Sequence, residues 1–304
     1  MEATVPAWKQ QPERGNAFVL RLLVRLDRAL GRRLVGWILW WVAFYYAAVV
    51  PSARQASGDF LARAGCRAGF FDTVRHFRTF ARVALDRARF ATGRLEGLVI
   101  TREGHEHIAS ARGALVVGAH LGSFEALQTL SHQHGLRLNV VVDLRNARQL
   151  SAVMAELAPE ARVRFVSVDE HEPTSVLQLT EAIADGELVA LLADRLTAAS
   201  DRSIAVPFFG AMARFPTGPF VMAHALGCPV LFACALYREP NQYHLVCEPF
   251  SERLVLPRAT RAEALEGACA RFAATLERFA RIAPDNWFNF FPFWEPHHDD
   301  VTRR

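Results

Sequence analysis

The sequence predicts an α/β fold, a mostly parallel central sheet flanked by helices, with a membrane-associated helix ahead of it. Three observations lead there. Short apolar runs of the buried-strand type recur at residues 114–118, 138–142, 188–193 and 230–236, and 163–168 is also strand-like. Between most of them lie segments with helical spacing, and strands joined by helical crossovers form a parallel sheet covered on both faces. Residues 34–50, LVGWILWWVAFYYAAVV, then add seventeen positions without a charge before the alternation begins. Such a strip needs either a core or lipid, and seventeen residues is the lower edge of a bilayer span.

Taken in order, residues 18–30 alternate apolar pairs with Arg21, Arg25 and Arg28, the pattern of an amphipathic helix lying on a membrane. Trp37, Trp40, Trp41, Tyr45 and Tyr46 suit the headgroup level. Residues 52–92 read as helical, with Phe60, Leu61, Phe70, Phe71, Phe77, Phe80 and Phe90 among arginines. A first strand is expected at 95–102 and a short helix at 104–111. The strand at 114–118 then feeds a turn at His120-Leu-Gly-Ser and a helix over 124–134. Strand 138–142, helix 146–157, strand 163–168, helix 174–185 and strand 188–193 follow. Residues 206–209 are short and extended. A helix over 219–226 stops at Gly227, and a strand at 243–248 is placed near an edge. Residues 262–282, rich in alanine and leucine, form a long helix before an aromatic tail broken by proline. With no repeat or linker inside it, 52–296 is one domain, preceded by an anchor at 1–51 and followed by a polar tail at 297–304.

Composition narrows the function. Hydrophobic residues make up 51% of 304 and charged residues 22%, a foldable balance. The net charge of +4 resides wholly in residues 1–33, where seven basic groups face three acidic ones. A basic leader before an apolar strip points to anionic membrane lipids, whereas a nucleic-acid partner would call for a basic face on the folded body. Five cysteines without a CxxC pair indicate neither a disulfide framework nor zinc. His132 and His134 do not share a helix face, and His297-His298-Asp299-Asp300 reads as solvated tail, so no metal site is expected. Nucleotide loops of the GxGxxG or Walker type are missing from the sequence.

The chemistry centres on Val116-Val-Gly-Ala-His120-Leu-Gly-Ser-Phe-Glu125. It puts a histidine past the carboxyl end of a strand, where open α/β sheets keep their sites, and a carboxylate in the next helical turn. Such a histidine can take a proton from a hydroxyl, with Glu125 holding its other nitrogen. Gly122 lets the backbone approach a reacting carbonyl, and the amides of this turn, with Ser123, shape an oxyanion region.

Gly118-Ala-His120-Leu-Gly-Ser-Phe-Glu125 resembles the histidine-four-residues-acid motif of the lysophospholipid acyltransferase superfamily, in its lipid A biosynthesis late acyltransferase branch. The similarity continues through the strand ending in Asp194-Arg195, then Val206-Pro-Phe-Phe-Gly210 and Phe215-Pro216-Thr217-Gly218-Pro219. Cys228-Pro-Val-Leu-Phe, Tyr237-Arg238 and the tryptophan-bearing tail complete it, over residues 95–294. Trp8, Glu13-Arg14-Gly15 and Leu30-Gly31-Arg32-Arg33 resemble a branch of acyltransferases encoded with aryl polyene or polyketide-like lipid pathways.

The resemblance implies a glycerolipid acyltransferase-like fold on the cytoplasmic face of a bacterial inner membrane. It implies transfer of a fatty acyl group from acyl carrier protein or CoA to a hydroxyl of a lipid or glycolipid, lipid A-like or another outer-membrane lipid. His120 would be the base and Glu125 its orienting acid, with no bound cofactor and acyl carrier protein as partner. Asp194, Arg195, Gly210, Arg214, Thr217, Gly218 and Pro219 would contact substrate, as would Arg145 in a segment (Asn139-Val-Val-Val-Asp143-Leu-Arg145) that departs from the family pattern. Ser123-Phe124 also replaces the usual asparagine-tryptophan. Two other functions fit the residues less well. A thioesterase or lipid hydrolase would have to use the same histidine without a GxSxG elbow. A non-catalytic membrane protein would have no use for the histidine–acid pair.

Overall fold

The computed structural model describes residues 17–91, 93–133, 135–142, 163–167, 173–196 and 202–294. Helices α1 (Ala17–Val49), α2 (Pro51–Arg63) and α3 (Phe70–Ala91) come first. Then follow β1 (Val99–Glu103), α4 (His105–Ser110), β2 (Ala114–Gly118), α5 (Phe124–Gln133), β3 (Leu138–Val142) and β4 (Val163–Ser167). The second half runs α6 (Pro173–Ala184), β5 (Leu188–Leu192), β6 (Ser203–Phe208), β7 (Ala211–Pro216), α7 (Gly218–Leu226), β8 (Val230–Arg238), β9 (Gln242–Ser251) and α8 (Arg261–Ile282).

Among the described residues the main sheet has seven strands in the order β1-β9-β8-β2-β5-β3-β4. All neighbours are parallel except β8 and β9, which form an antiparallel hairpin. The two-residue period of a strand sends alternate side chains to opposite faces. Leu115, Val117, Val189 and Leu191 accordingly join the core under α7 and α8, built around Phe220, Phe272 and Leu276. Ala114, Val116, Leu188 and Ala190 join the other core, with Ala126 and Leu127 of α5 and Val83 and Phe90 of α3. The fully buried Phe208, Phe215, Phe220, Phe232 and Phe272 are thus ordinary core.

Several expectations change. The helical stretch 52–92 is two helices with a break between Arg63 and Phe70, where Gly65 takes a left-handed φ of 79°. β9 lies next to the edge, as expected, with β1 pairing along its outer side as the edge strand itself. Residues 211–216, assigned to no element from the sequence, are a strand paired with β6 in a separate hairpin. Its two-residue turn places Phe209 at φ 50° and Gly210 at φ 77°, the pair of positive angles that a tight hairpin needs. The helix expected at 146–157 lies outside the described residues.

α1 is broken at Gly31, whose φ of 78° and ψ of 161° interrupt the helix between the arginine-rich part and the apolar part. Beyond that break, Val35, Leu39, Ala43 and Ala47 recur every four residues and are buried, against Leu85 and against Val74 and Phe77 of α3. The apolar part of the expected anchor therefore has one face packed on the body. At the break, Arg32 forms a two-pronged ion pair with the fully buried Asp86 of α3, which also accepts from the Tyr243 hydroxyl at 2.8 Å.

Candidate active site

The parallel register of β2 and β5 builds the site. Gly118 lies opposite Leu192, and the Ala193 amide donates to the Gly118 carbonyl at 2.9 Å. Two residues past each strand, His120 and Asp194 therefore meet at the carboxyl edge of the sheet. Asp194 is 1% exposed and accepts three hydrogen bonds. They come from His120 Nδ1 at 2.9 Å, from the His120 backbone amide at 3.1 Å and from Trp287 Nε1 at 3.2 Å.

Burial pushes the Asp194 carboxyl up, but His120, Arg195 and these donors overcome it and hold it down at about 2. An ionised Asp194 places the imidazole proton on Nδ1. Nε2 has no hydrogen-bond partner among the described residues, and the side chain keeps 30% of its surface open. Burial and the Arg195 charge push the His120 pKa below its ordinary value, outweighing Asp194, so the ring is neutral at pH 7. A neutral imidazole, fixed in one tautomer by a buried carboxylate and open on its other nitrogen, is equipped to accept a proton.

Glu125 does not hold His120, contrary to the expectation from the sequence. α5 begins at Phe124 and carries the Glu125 carboxylate toward α3, where Oε1 pairs with Arg87 at 3.1 Å and Oε2 accepts from Ser123 at 3.4 Å. Its first-turn position also suits the positive end of the helix. The turn amides differ too. Gly122 N donates to the Asn286 carbonyl at 2.8 Å and Ser123 N to the Ala235 carbonyl at 2.9 Å. Neither amide is available to an oxyanion. Gly122 is required by the protein's own backbone: a Cβ there would stand 1.9 Å from the Ala235 oxygen at a φ of 69°. Ser123 is buried and caps α5, accepting from the Ala126 amide at 3.2 Å.

Arg195 sits beside the pair, its Nη2 donating to the Phe288 carbonyl and its guanidinium standing 5.3 Å over Phe291. Its buried Nε has no hydrogen-bond partner among the described residues. Gly210 lies in the β6–β7 turn and Arg214 on the exposed face of β7, opposite Ala205. Thr217 binds the Arg202 carbonyl through its amide at 2.9 Å and its hydroxyl at 3.1 Å, and Gly218 and Pro219 start α7. Among the described residues, no hydrogen bond or ion pair joins Gly210, Arg214, Thr217, Gly218 or Pro219 to His120. Arg145 lies outside the described residues.

The segment that closes the site from behind belongs to the aromatic tail, to which no site role was assigned from the sequence. Asn286 accepts from Gly122, Trp287 reaches Asp194, and Phe288 donates its amide to the His120 carbonyl at 2.9 Å while accepting from Arg195. The fully buried His76 of α3 holds this segment, with Nε2 on the Trp287 carbonyl at 2.9 Å and Nδ1 on the Ser57 hydroxyl at 2.8 Å. Only the tryptophans of the tail could have marked it, since backbone partners have no sequence signature.

No curated protein matches the chain. Among solved structures, the 1-acyl-sn-glycerophosphate acyltransferase PlsC of Thermotoga maritima matches at 15% identity and a TM-score of 0.37, over 81% of this chain and 98% of that one. The family model of the bacterial lipid A biosynthesis acyltransferases matches residues 75–295, from the second turn of α3 to the aromatic tail. That span is well over half of the chain and contains the whole sheet with His120 and Asp194, so this protein belongs to the bacterial lipid A biosynthesis acyltransferase family and is an acyltransferase.

Proposed function

We propose that the protein transfers a fatty acyl group from a thioester, on acyl carrier protein or CoA, to a hydroxyl of a membrane lipid or glycolipid, with His120 as general base and Asp194 as its positioning acid. One observation carries the reading: a neutral His120 held through Nδ1 on a buried carboxylate, with Nε2 open. The acceptor hydroxyl gives its proton to Nε2 as its oxygen bonds to the thioester carbonyl carbon. The carbon–sulfur bond then breaks, and the imidazolium returns the proton to the departing thiolate. Asp194 stabilises the imidazolium between those steps, and Arg195, whose charge is felt at His120, would stabilise the developing oxyanion. The chemistry requires no bound cofactor. Lipid A itself, or another outer-membrane lipid, is the acceptor the family suggests.

Attachment to the cytoplasmic face of the bacterial inner membrane is part of the same reading, since thioester donors are cytosolic. α1 supports it through its second apolar face. Opposite the buried stripe, Leu34, Trp37, Trp41 and Tyr45 are exposed, at 55%, 70%, 71% and 67%. No single helix among the described residues is long and apolar enough to cross a bilayer, and only the bent pair of Gly31–Val49 with α2 passes that test. Phe60 and Leu61 tie α2 into the main core, which favours an anchor lying in one leaflet over a span.

The test incubates the purified protein with acyl-labelled carrier protein or acyl-CoA and a total lipid extract, and weighs the product. Label in an organic-soluble ester supports transfer and its mass names the acceptor. Label released only as free fatty acid contradicts it.

A further inference from the structure

A cavity of about 380 Å³ opens between α3, the end of β8 and the residues that follow α8, lined by Arg75, Arg78, Arg238, Glu239, Asp285 and the partly exposed Ile282 among others. Its size lies within the usual range for small-ligand sites. The two carboxylates are already committed: Asp285 pairs with Arg75 Nε at 2.7 Å, and Glu239 with Arg78 Nη1 at 2.9 Å. Arg75 also holds Asp72 at 3.0 Å, outside the lining. The Arg238 side chain is exposed and has no ion-pair or hydrogen-bond partner among the described residues. Three guanidinium groups thus surround the space with one wholly unused and one engaged through a single nitrogen. That arrangement suits the several oxygens of a phosphate better than a single carboxylate.

Position selects the source of the phosphate. The Arg78 guanidinium stands 5.8 Å over Trp40, on the same helix whose outer face carries Trp37 and Trp41. Ile282, exposed at 54%, supplies an apolar rim. Basic side chains beside exposed aromatics, with an apolar edge, match the level where lipid phosphates lie.

We infer that this cavity binds the phosphate headgroup of an anionic phospholipid, at a site separate from His120. The inference rests on the membrane attachment proposed above but not on the acyl-transfer chemistry. Its floor, Pro284–Asn286, continues directly into Trp287 and Phe288, so a seated lipid would border the segment that supports the reacting pair.

The test uses the full chain in vesicle co-sedimentation, with neutral phosphatidylcholine vesicles and vesicles containing phosphatidic acid. Arg238→Gln removes the unpaired cation without breaking a described contact, and Arg258→Gln, at an exposed position in the loop before α8, is the charge-matched control. Binding to neutral vesicles, equal in all three proteins, reports the aromatic face alone, and its absence would remove the membrane attachment on which the inference rests. On phosphatidic acid vesicles Arg238→Gln should bind about tenfold more weakly than both wild type and Arg258→Gln. Equal binding by the two variants would overturn the inference. So would weaker binding of inorganic pyrophosphate by Arg238→Gln with vesicle binding intact, since that would assign the cavity to a soluble phosphate.

Discussion

Replacing Asp194 by asparagine keeps the shape of the side chain and removes its charge. Asp194 accepts from three donors with two oxygens, and an amide cannot reproduce this. With its oxygen toward Nδ1, its NH2 group faces the His120 amide and the Trp287 indole, donor against donor. Flipped, it donates to Nδ1 and forces the proton onto Nε2, where a base must be empty. The carboxylate also steadies the imidazolium formed during reaction. For charges roughly 4 Å apart at an effective dielectric of about 20, that attraction is about 4 kcal/mol. Lost from the transition state alone, it lowers kcat by about a thousandfold. Asp194 raises the His120 pKa, so the acid limb of the pH–rate profile, already below the ordinary histidine value, should move lower still in Asp194→Asn. Glu125→Gln is the internal comparison. It frees Arg87, whose charge lowers the His120 pKa, and should cost no more than about tenfold. The assay is label transfer from acyl thioester at saturating substrate, across pH 5–9, on protein whose melting temperature is measured alongside. A fully active Asp194→Asn beside a dead Glu125→Gln would refute the assignment of Asp194.

Other outcomes follow from burial and charge. Asp86→Ala strands the Arg32 guanidinium and the Tyr243 hydroxyl and should cost about 3–5 kcal/mol of stability; a loss under about 1 kcal/mol in urea unfolding would contradict this. Burial pushes the His76 pKa down to about 4, so the unfolded chain takes up its proton below about 6.5 while the folded one refuses it. Its contribution is present above pH 6.5 and fades toward pH 4, by roughly 3 kcal/mol in all. His76→Gln should flatten that part of the stability–pH curve, and parallel curves for mutant and wild type would argue against it. Trp37→Ser, Trp41→Ser and Tyr45→Ser together should reduce binding to neutral vesicles at least tenfold with little change in melting temperature, and unchanged binding would leave α1 without its proposed role.

Much of the scaffold was legible because its signals are local. Apolar runs at 114–118, 188–193 and 230–236 stand out as strands buried on both faces, and the turn at His120 follows from the strand before it. Strand order was not legible. Nothing local says that β2 and β5 are neighbours, yet that adjacency and its register bring Asp194, rather than the sequence-near Glu125, to His120. The hairpin of β6 and β7 was missed because its turn residues, Phe209-Gly210, do not advertise a two-residue turn. Phe209 holds its positive φ with its amide on Glu277 at 2.6 Å, a contact 68 residues away. The same holds for Trp287, whose tie to Asp194 depends on the chain returning after α8. The apolar strip at 34–50 was legible as such, but its division into a buried and an exposed face depends on where α3 lies.

The most direct measurement is a single-turnover comparison of wild type with His120→Ala, using acyl-labelled donor and the native lipid acceptor. Removing the base while Asp194 and the sheet remain in place should abolish formation of the labelled ester, by at least a thousandfold, with the protein still folded and still binding vesicles. Ester formation by His120→Ala at the wild-type rate would contradict the account at its centre.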